Sequence, residues 1–167
     1  MTPRAVLTGF MGSGKSTVGR ALAAALDVDY LDTDAEIERR AGRTIAEIFA
    51  ADGEPAFRDL ERATVLDLLA TADGVVALGG GSVTVPEVAA ALAGHHVVYL
   101  RIGAEDGFAR VAHSSRPLLK HPTPAARYAE LLAGRLEAYE AVATHTVDAT
   151  RRVPDLVDAV LAGLPAV

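Results

Sequence analysis

The sequence predicts an α/β domain, a three-layer fold with a five-stranded parallel sheet and helices on both of its faces. Short β-like runs alternate along the 167 residues with longer helical ones, and repeated strand–helix–strand units give parallel strands covered on both sides. The first strand-like run empties into a glycine-rich turn and then a helix. Polar or glycine-rich segments stand directly after the first three strand-like runs, at the carboxyl ends where ligands of such sheets bind.

In chain order, Ala5-Val6-Leu7-Thr8 reads as a buried strand and Ser16 to Leu26 as the helix after the turn. Val28 to Leu31 reads as a second strand, and Ala35 to Ala51 as one or two helices broken near Gly42. A long helix is expected from Pro55 to Ala72, with Leu60, Ala63 and Leu66 on one face and Pro55 near its start, where a missing N–H costs nothing. Val75 to Leu78 is a third strand, a helix follows Pro86, and His96 to Leu100 is a fourth strand. Ala104 to Ala112 is helical, Ser114 to Pro124 is polar and proline-bearing, and Ala125 to Val142 is helical. Thr146-Val147-Asp148 makes a fifth strand, and Pro154 to Leu161 a closing helix.

The whole chain, 1–167, fits one domain with a real core, and 50% hydrophobic residues with few aromatics make that core aliphatic. A formal net charge of −6 argues against nucleic-acid or anionic-membrane partners. The absence of cysteine excludes disulfides and thiolate–metal sites. No apolar stretch reaches the roughly 20 residues that span a bilayer, and no signal-peptide pattern precedes the first strand. A cytoplasmic monomer is expected. The five histidines show no metal-ligand spacing and read as solvent-facing or loop residues, and Tyr99, Tyr128 and Tyr139 read as packing.

Gly9-Phe10-Met11-Gly12-Ser13-Gly14-Lys15-Ser16 matches G-x-x-x-x-G-K-S/T between a strand and a helix, the context that gives this motif its meaning. Its glycines let the backbone curl with N–H groups inward, and the helix start adds roughly half a positive charge, so the loop is a nest for phosphate. Lys15 is expected at the β- and γ-phosphates of ATP, and the Ser16 hydroxyl on Mg²⁺. A dinucleotide fingerprint would need glycine at the position of Thr17.

Asp32-Thr33-Asp34 follows the second strand. Asp32 is suited to the magnesium shell and Asp34 to a substrate hydroxyl; alternatively, either one caps the next helix. Glu54, Arg58 and Glu61 share a helix face, either as a surface ion-pair ladder or with Glu61 orienting Arg58 to grip a substrate carboxylate. Gly79-Gly80-Gly81 permits close backbone approach to a ligand. Arg116 stands in a candidate lid at about 112–124, where it would neutralise a transferring phosphoryl group. Arg135 interrupts a Leu/Ala-rich helix, and Arg110 and Arg152 are candidates to sandwich an adenine ring.

Taken together, the set resembles shikimate kinase from about Ala5 to Pro154. The matching stretches are Gly9 to Arg20, Leu31 to Asp34, Gly53-Glu54 with Phe57-Arg58 and Glu61, Gly79 to Ser82, Arg116 to Leu119, and Arg135 with Tyr139. The resemblance implies a P-loop fold like the nucleoside monophosphate kinases, with sheet order 2-3-1-4-5, a mobile lid and substrate-binding helices at about 33–61. It implies ATP-dependent phosphorylation of the shikimate 3-hydroxyl, on the way to chorismate. By position, Gly12, Ser13, Gly14, Lys15, Ser16 and Thr17 would bind ATP with Arg110, Arg116 and Arg152. Asp34, Arg58, Glu61, Gly79, Gly80, Gly81 and Arg135 would hold shikimate, with Phe49 and Phe57 packed near its ring. Ser16 and Asp32 would serve Mg²⁺, and Lys15, Asp34 and Arg116 the transfer itself. Two other readings are a gluconate kinase-like enzyme of the same fold and a non-catalytic ATP-binding domain.

Overall fold

The computed structural model describes residues 2–114 and 120–166. At its centre β1 (Ala5–Thr8) lies between β3 (Val75–Ala77) and β4 (Val97–Arg101), with β2 (Tyr30–Asp32) and β5 (His145–Asp148) at the edges. All four pairings are parallel, in the order β2-β3-β1-β4-β5 that the resemblance implies.

The pleat of these strands sorts their side chains into two cores. Val6, Val76, Val97 and Tyr99 point to one face, covered by α3 (Ile45–Thr71), α4 (Pro86–Ala91), α5 (Ala104–Val111) and α6 (Pro124–Val142). Ala5, Leu7, Val75, Ala77, Val98 and Leu100 point to the other, covered by α1 (Lys15–Leu26) and α7 (Val153–Gly163). A third, smaller cluster of Ile37, Ile48 and Phe57 joins α2 (Thr33–Ala41) to α3. Surface contacts pin that unit. Arg40 pairs with Asp67 at 2.5 Å and Arg43 with Asp52 at 2.5 Å, and the Ile45 amide donates to the Glu38 carboxylate.

Three local expectations change. The second strand starts at Tyr30, not Val28, because the amides of Asp27 and Val28 still close α1, donating to Ala24 and Ala23 carbonyls with Asp27 left-handed at φ 55°. The long helix is continuous with the one before it except for a break at Gly53 (φ 84°, ψ 171°). Leu60, Ala63 and Leu66 face outward, with Leu60 39% exposed. The buried face is Phe57, Glu61, Thr64, Val65 and Leu68. These recur at i, i+4, i+7, i+8 and i+11 and hold a narrow arc, whereas steps of three drift off it. Polar Glu61 and Thr64 disguised that stripe. The histidines also divide. His113 and His121 are exposed, but His95, His96 and His145 are half-buried where β4 and β5 begin, with the His96 and His145 rings 6.4 Å apart.

Candidate functional site

The carboxyl ends of the strands open into a cavity of about 730 Å³. Its walls include the phosphate loop, Asp32 and Asp34, Phe49, Phe57, Arg58 and Glu61, Gly79–Gly81, Arg110 and Arg135.

The phosphate loop is shaped by left-handed glycines, Gly12 (φ 89°) and Gly14 (φ 88°), which feed directly into α1. No side chain among the described residues caps that helix, so its first amides are available as donors for an anion. Lys15 Nζ donates to the Gly9 and Phe10 carbonyls at 2.6 and 3.2 Å. Ser13, Ser16 and Thr17 line the same wall, and the Ser13 hydroxyl is buried with no hydrogen-bond partner among the described residues. Arg110 ties the loop to the far wall, donating to the Gly12 carbonyl at 3.1 Å and the Ala149 carbonyl at 2.9 Å. On that wall Arg151 lines the cavity; Arg152 instead stands at the N-terminal boundary of α7, outside the lining.

Asp32 and Asp34 have different tasks. Asp32 is the N-cap of α2: its Oδ1 accepts from the Asp34 amide at 2.8 Å and the Ala35 amide at 3.3 Å. Its Oδ2 stands 3.4 Å from the Tyr30 hydroxyl. Asp34, the second residue of the helix, reaches toward Gly79, and its Oδ1 is buried without a hydrogen-bond partner among the described residues. A Cβ placed on Gly79 would lie 2.6 Å from Asp34 Oδ1 and 2.9 Å from Glu61 Oε2, so only glycine lets the two carboxylates converge there. Burial above all, then the charges of Asp32 and Glu61, push the Asp34 carboxyl up to about 6 against the opposing pull of Lys15 and Arg58.

Glu61 is 1% exposed and accepts from Arg58 Nη1 at 2.6 Å; Glu54 stands 3.4 Å from Nη2 at the surface. The ladder of spaced charges is therefore a buried carboxylate aiming one guanidinium. Phe57, stacked 4.9 Å from Phe49 in a tilted pair, carries that guanidinium over its ring at 5.2 Å. Arg135, from α6, lies over Phe10 at 5.2 Å. The two arginines meet at the glycine run. A Cβ on Gly81 would collide with the Arg58 guanidinium, and one on Gly80 would stand 3.5 Å from Arg135 Nη1. Two cations from two helices thus flank one stretch of bare backbone, facing Asp34 on one side and the phosphate loop on the other.

Arg116 lies outside the described residues, as do the neighbouring positions 115–119 of the expected lid. Sequence reasoning passed over two tyrosines. Tyr128 and Tyr139 are packed in the core as expected, but their hydroxyls donate to Met11 and Gly80 carbonyls in the two loops of the site. The signal was present as spacing: residues 128, 132, 135 and 139 fall on one helical face, which already carried the anomalous Arg135.

A sequence model of the shikimate kinase family matches residues 11–164. The shikimate kinase of Mycobacterium tuberculosis is 55% identical over 158 residues, covering 94% of this chain and 90% of that one. Among solved structures, a shikimate kinase from Acinetobacter baumannii in complex with shikimate superposes with a TM-score of 0.91 at 36% identity, over 96% of this chain and 91% of that one. A gluconokinase from Sinorhizobium meliloti, at 23% identity and a TM-score of 0.61 over 95% of this chain and 89% of that one, shares the fold alone. The chain belongs to the shikimate kinase family.

Proposed function

We propose that this protein transfers the terminal phosphoryl group of ATP to the 3-hydroxyl of shikimate, giving shikimate 3-phosphate and ADP, a step toward chorismate and the aromatic amino acids. The observation that carries the choice of acceptor is the pair Arg58 and Arg135, converging on Gly80 and Gly81 opposite Asp34. A planar carboxylate on a ring of hydroxyls suits two guanidinium forks with a hydroxyl-binding carboxylate across from them.

In this reading the amides of the phosphate loop and Lys15 take the phosphates, Gly12 to Thr17 forming the cradle. Arg110 and Arg151 flank the adenine; Arg151 replaces Arg152 because Arg151 is the one at the cavity wall. Phe49 and Phe57 pack against the acceptor ring, and Glu61 holds Arg58 in place. Asp34, ionised above about pH 6, accepts the hydrogen bond of the attacking hydroxyl and aligns its oxygen with the phosphorus. That oxygen forms the new P–O bond as the bond to the ADP oxygen breaks, and fixed positioning with positive charge lowers the barrier. Arg116 is proposed as the lid cation.

The residues present fit a nucleotide-bound Mg²⁺. Ser16 and Asp32 both line the cavity beside the phosphate loop, and the described residues hold no group of three or more His, Cys, Asp or Glu able to cage a metal. That donor set suits an ion held mainly by phosphate and water. When bound, Mg²⁺ would supply charge neutralisation on the phosphates; Ser16 would offer it a hydroxyl and Asp32 a carboxylate.

The protein is proposed to act in the cytoplasm as a monomer. No described helix is long and apolar enough to cross a membrane. The test is ADP release with ATP and Mg²⁺ when offered shikimate, gluconate, mixed nucleoside monophosphates or no acceptor. Release with shikimate alone is expected. Release with another acceptor would overturn the pocket assignment, and none at all would restore the binding-domain reading. Light scattering at a single-chain mass checks the assembly state.

A further inference from the structure

Helix α6 carries no phosphate-loop motif, yet it touches both halves of the site. Tyr128 and Tyr139 stand three turns apart on one face, with Leu132 and Arg135 between them. At one end the Tyr128 hydroxyl donates to the Met11 carbonyl, inside the phosphate loop, at 2.6 Å. The Tyr128 ring is wedged edge-on between Phe10 at 4.7 Å and Phe108 at 5.8 Å. At the other end the Tyr139 hydroxyl donates to the Gly80 carbonyl at 2.5 Å. That oxygen and Arg135 Nη1 both stand at Gly80, 3.7 and 3.5 Å from where a Cβ would lie, and the Tyr139 ring stacks 5.0 Å from Tyr99 of the sheet. Both tyrosines are 0% exposed.

We propose that Tyr128 and Tyr139 are positioning residues that serve different substrates: Tyr128 fixes the phosphate loop for the nucleotide, and Tyr139 fixes Gly80 and Arg135 for the carboxylated acceptor. The chemistry follows from the donor count. A phenol has one proton to give and lone pairs to receive with. Tyr139 gives its proton to the Gly80 carbonyl, and its oxygen stands at the same glycine as the Arg135 guanidinium, so one phenol supports both the bare backbone and the cation that face the acceptor. The Tyr128 proton goes instead to a carbonyl next to Gly12. Because α6 is a rigid rod of fixed rise, the separation between the two anchors fixes the spacing between the two loops. Buried polar networks of this kind specify one arrangement when every member is satisfied.

The assignment of the acceptor end rests on the function proposed above, and the controls keep the two apart. Binding of ADP with Mg²⁺ and of shikimate is measured calorimetrically, without turnover, on the wild type, Tyr128→Phe, Tyr139→Phe and Arg135→Lys. Each Phe variant keeps the ring and loses only the hydroxyl. Tyr139→Phe is expected to weaken shikimate binding about tenfold while ADP affinity stays within about twofold. Tyr128→Phe is expected to show the reverse. Shikimate affinity in Tyr139→Phe/Arg135→Lys should then be weaker than wild type by clearly less than the product of the single effects, because Tyr139 acts through Arg135. Equal losses of both ligands in either variant, including losses through unfolding, would reduce the hydroxyls to structural groups and overturn the proposal. So would unchanged affinities in both. Failure of the wild type to bind shikimate at all would instead sink the function proposed above.

Discussion

Asp34 is the residue whose environment speaks most directly about chemistry. Its carboxyl keeps a proton up to about pH 6, against an ordinary value of 3.8. A raised carboxylate value means the folded state binds the proton more tightly, so the stability this gives is complete below pH 4 and is lost as pH rises through 6. Asp34→Asn should therefore unfold at a higher temperature than the wild type at pH 7.5, by about 1–3 kcal/mol of stability, and match it near pH 4. The same substitution should abolish turnover, and the wild-type kcat/KM should fall on the acid side of about pH 6. A wild-type acid limb well below pH 5 would remove Asp34 from the transfer. Arg58 and Glu61 make a second residue-scale case. Glu61 is buried against Arg58 at 2.6 Å, and breaking such a pair from one side strands a charge at a cost of about 3–5 kcal/mol. Arg58→Met should thus damage stability and activity together, while Arg58→Met/Glu61→Gln should regain the stability, read by urea unfolding, and remain inactive. The spacing of Glu54, Arg58 and Glu61 was visible in the sequence. What separated a surface ladder from an aimed arginine was burial, which depends on Phe57, Thr64 and Val65 turning the same way.

At the scale of elements, the phosphate loop with α1 was fully legible, because local chemistry dictates it: glycines for the turn, Lys15 and Ser16 at the helix start. The start of β2 was not, since hydrogen bonds to Ala23 and Ala24 keep Asp27 and Val28 in the helix cap. The buried face of α3 was missed because two polar residues sit on it, and Tyr128 and Tyr139 of α6 read as packing because hydrogen bonds to distant carbonyls leave no trace in periodicity. Asp32 shows how an element and a site share one residue. Two amides of α2 bind its Oδ1, and an asparagine oxygen caps a helix about as well as an aspartate one. Asp32→Asn should leave the melting temperature within about 2 °C of wild type, a change of roughly 0.5 kcal/mol. It should still weaken the Mg²⁺-dependence of ADP binding. A large fall in melting temperature with intact Mg²⁺-dependence would confine Asp32 to capping.

For the whole molecule, alternation of strands and helices foretold the parallel sheet, and the carboxyl-end location of the site followed from it. Strand order came from the resemblance alone, because no local pattern says that β1 lies between β3 and β4. Ligand binding to this one frame should appear as global stabilisation. ADP with Mg²⁺ at 100 times its Kd should add about 2.7 kcal/mol, seen as a concentration-dependent rise in melting temperature that Lys15→Ala loses. The same central placement of β1 shapes how the chain is born. Val6 pairs with Val75's neighbour Val76 and with Val97, partners that leave the ribosome long after it does. At synthesis rates of about 5–20 residues per second, the strand and the loop that will cradle phosphate wait on the order of 5–20 s for their neighbours. A strand buried at all four residues is thus left unprotected for that interval, and it finds its place only once its later-made partners arrive.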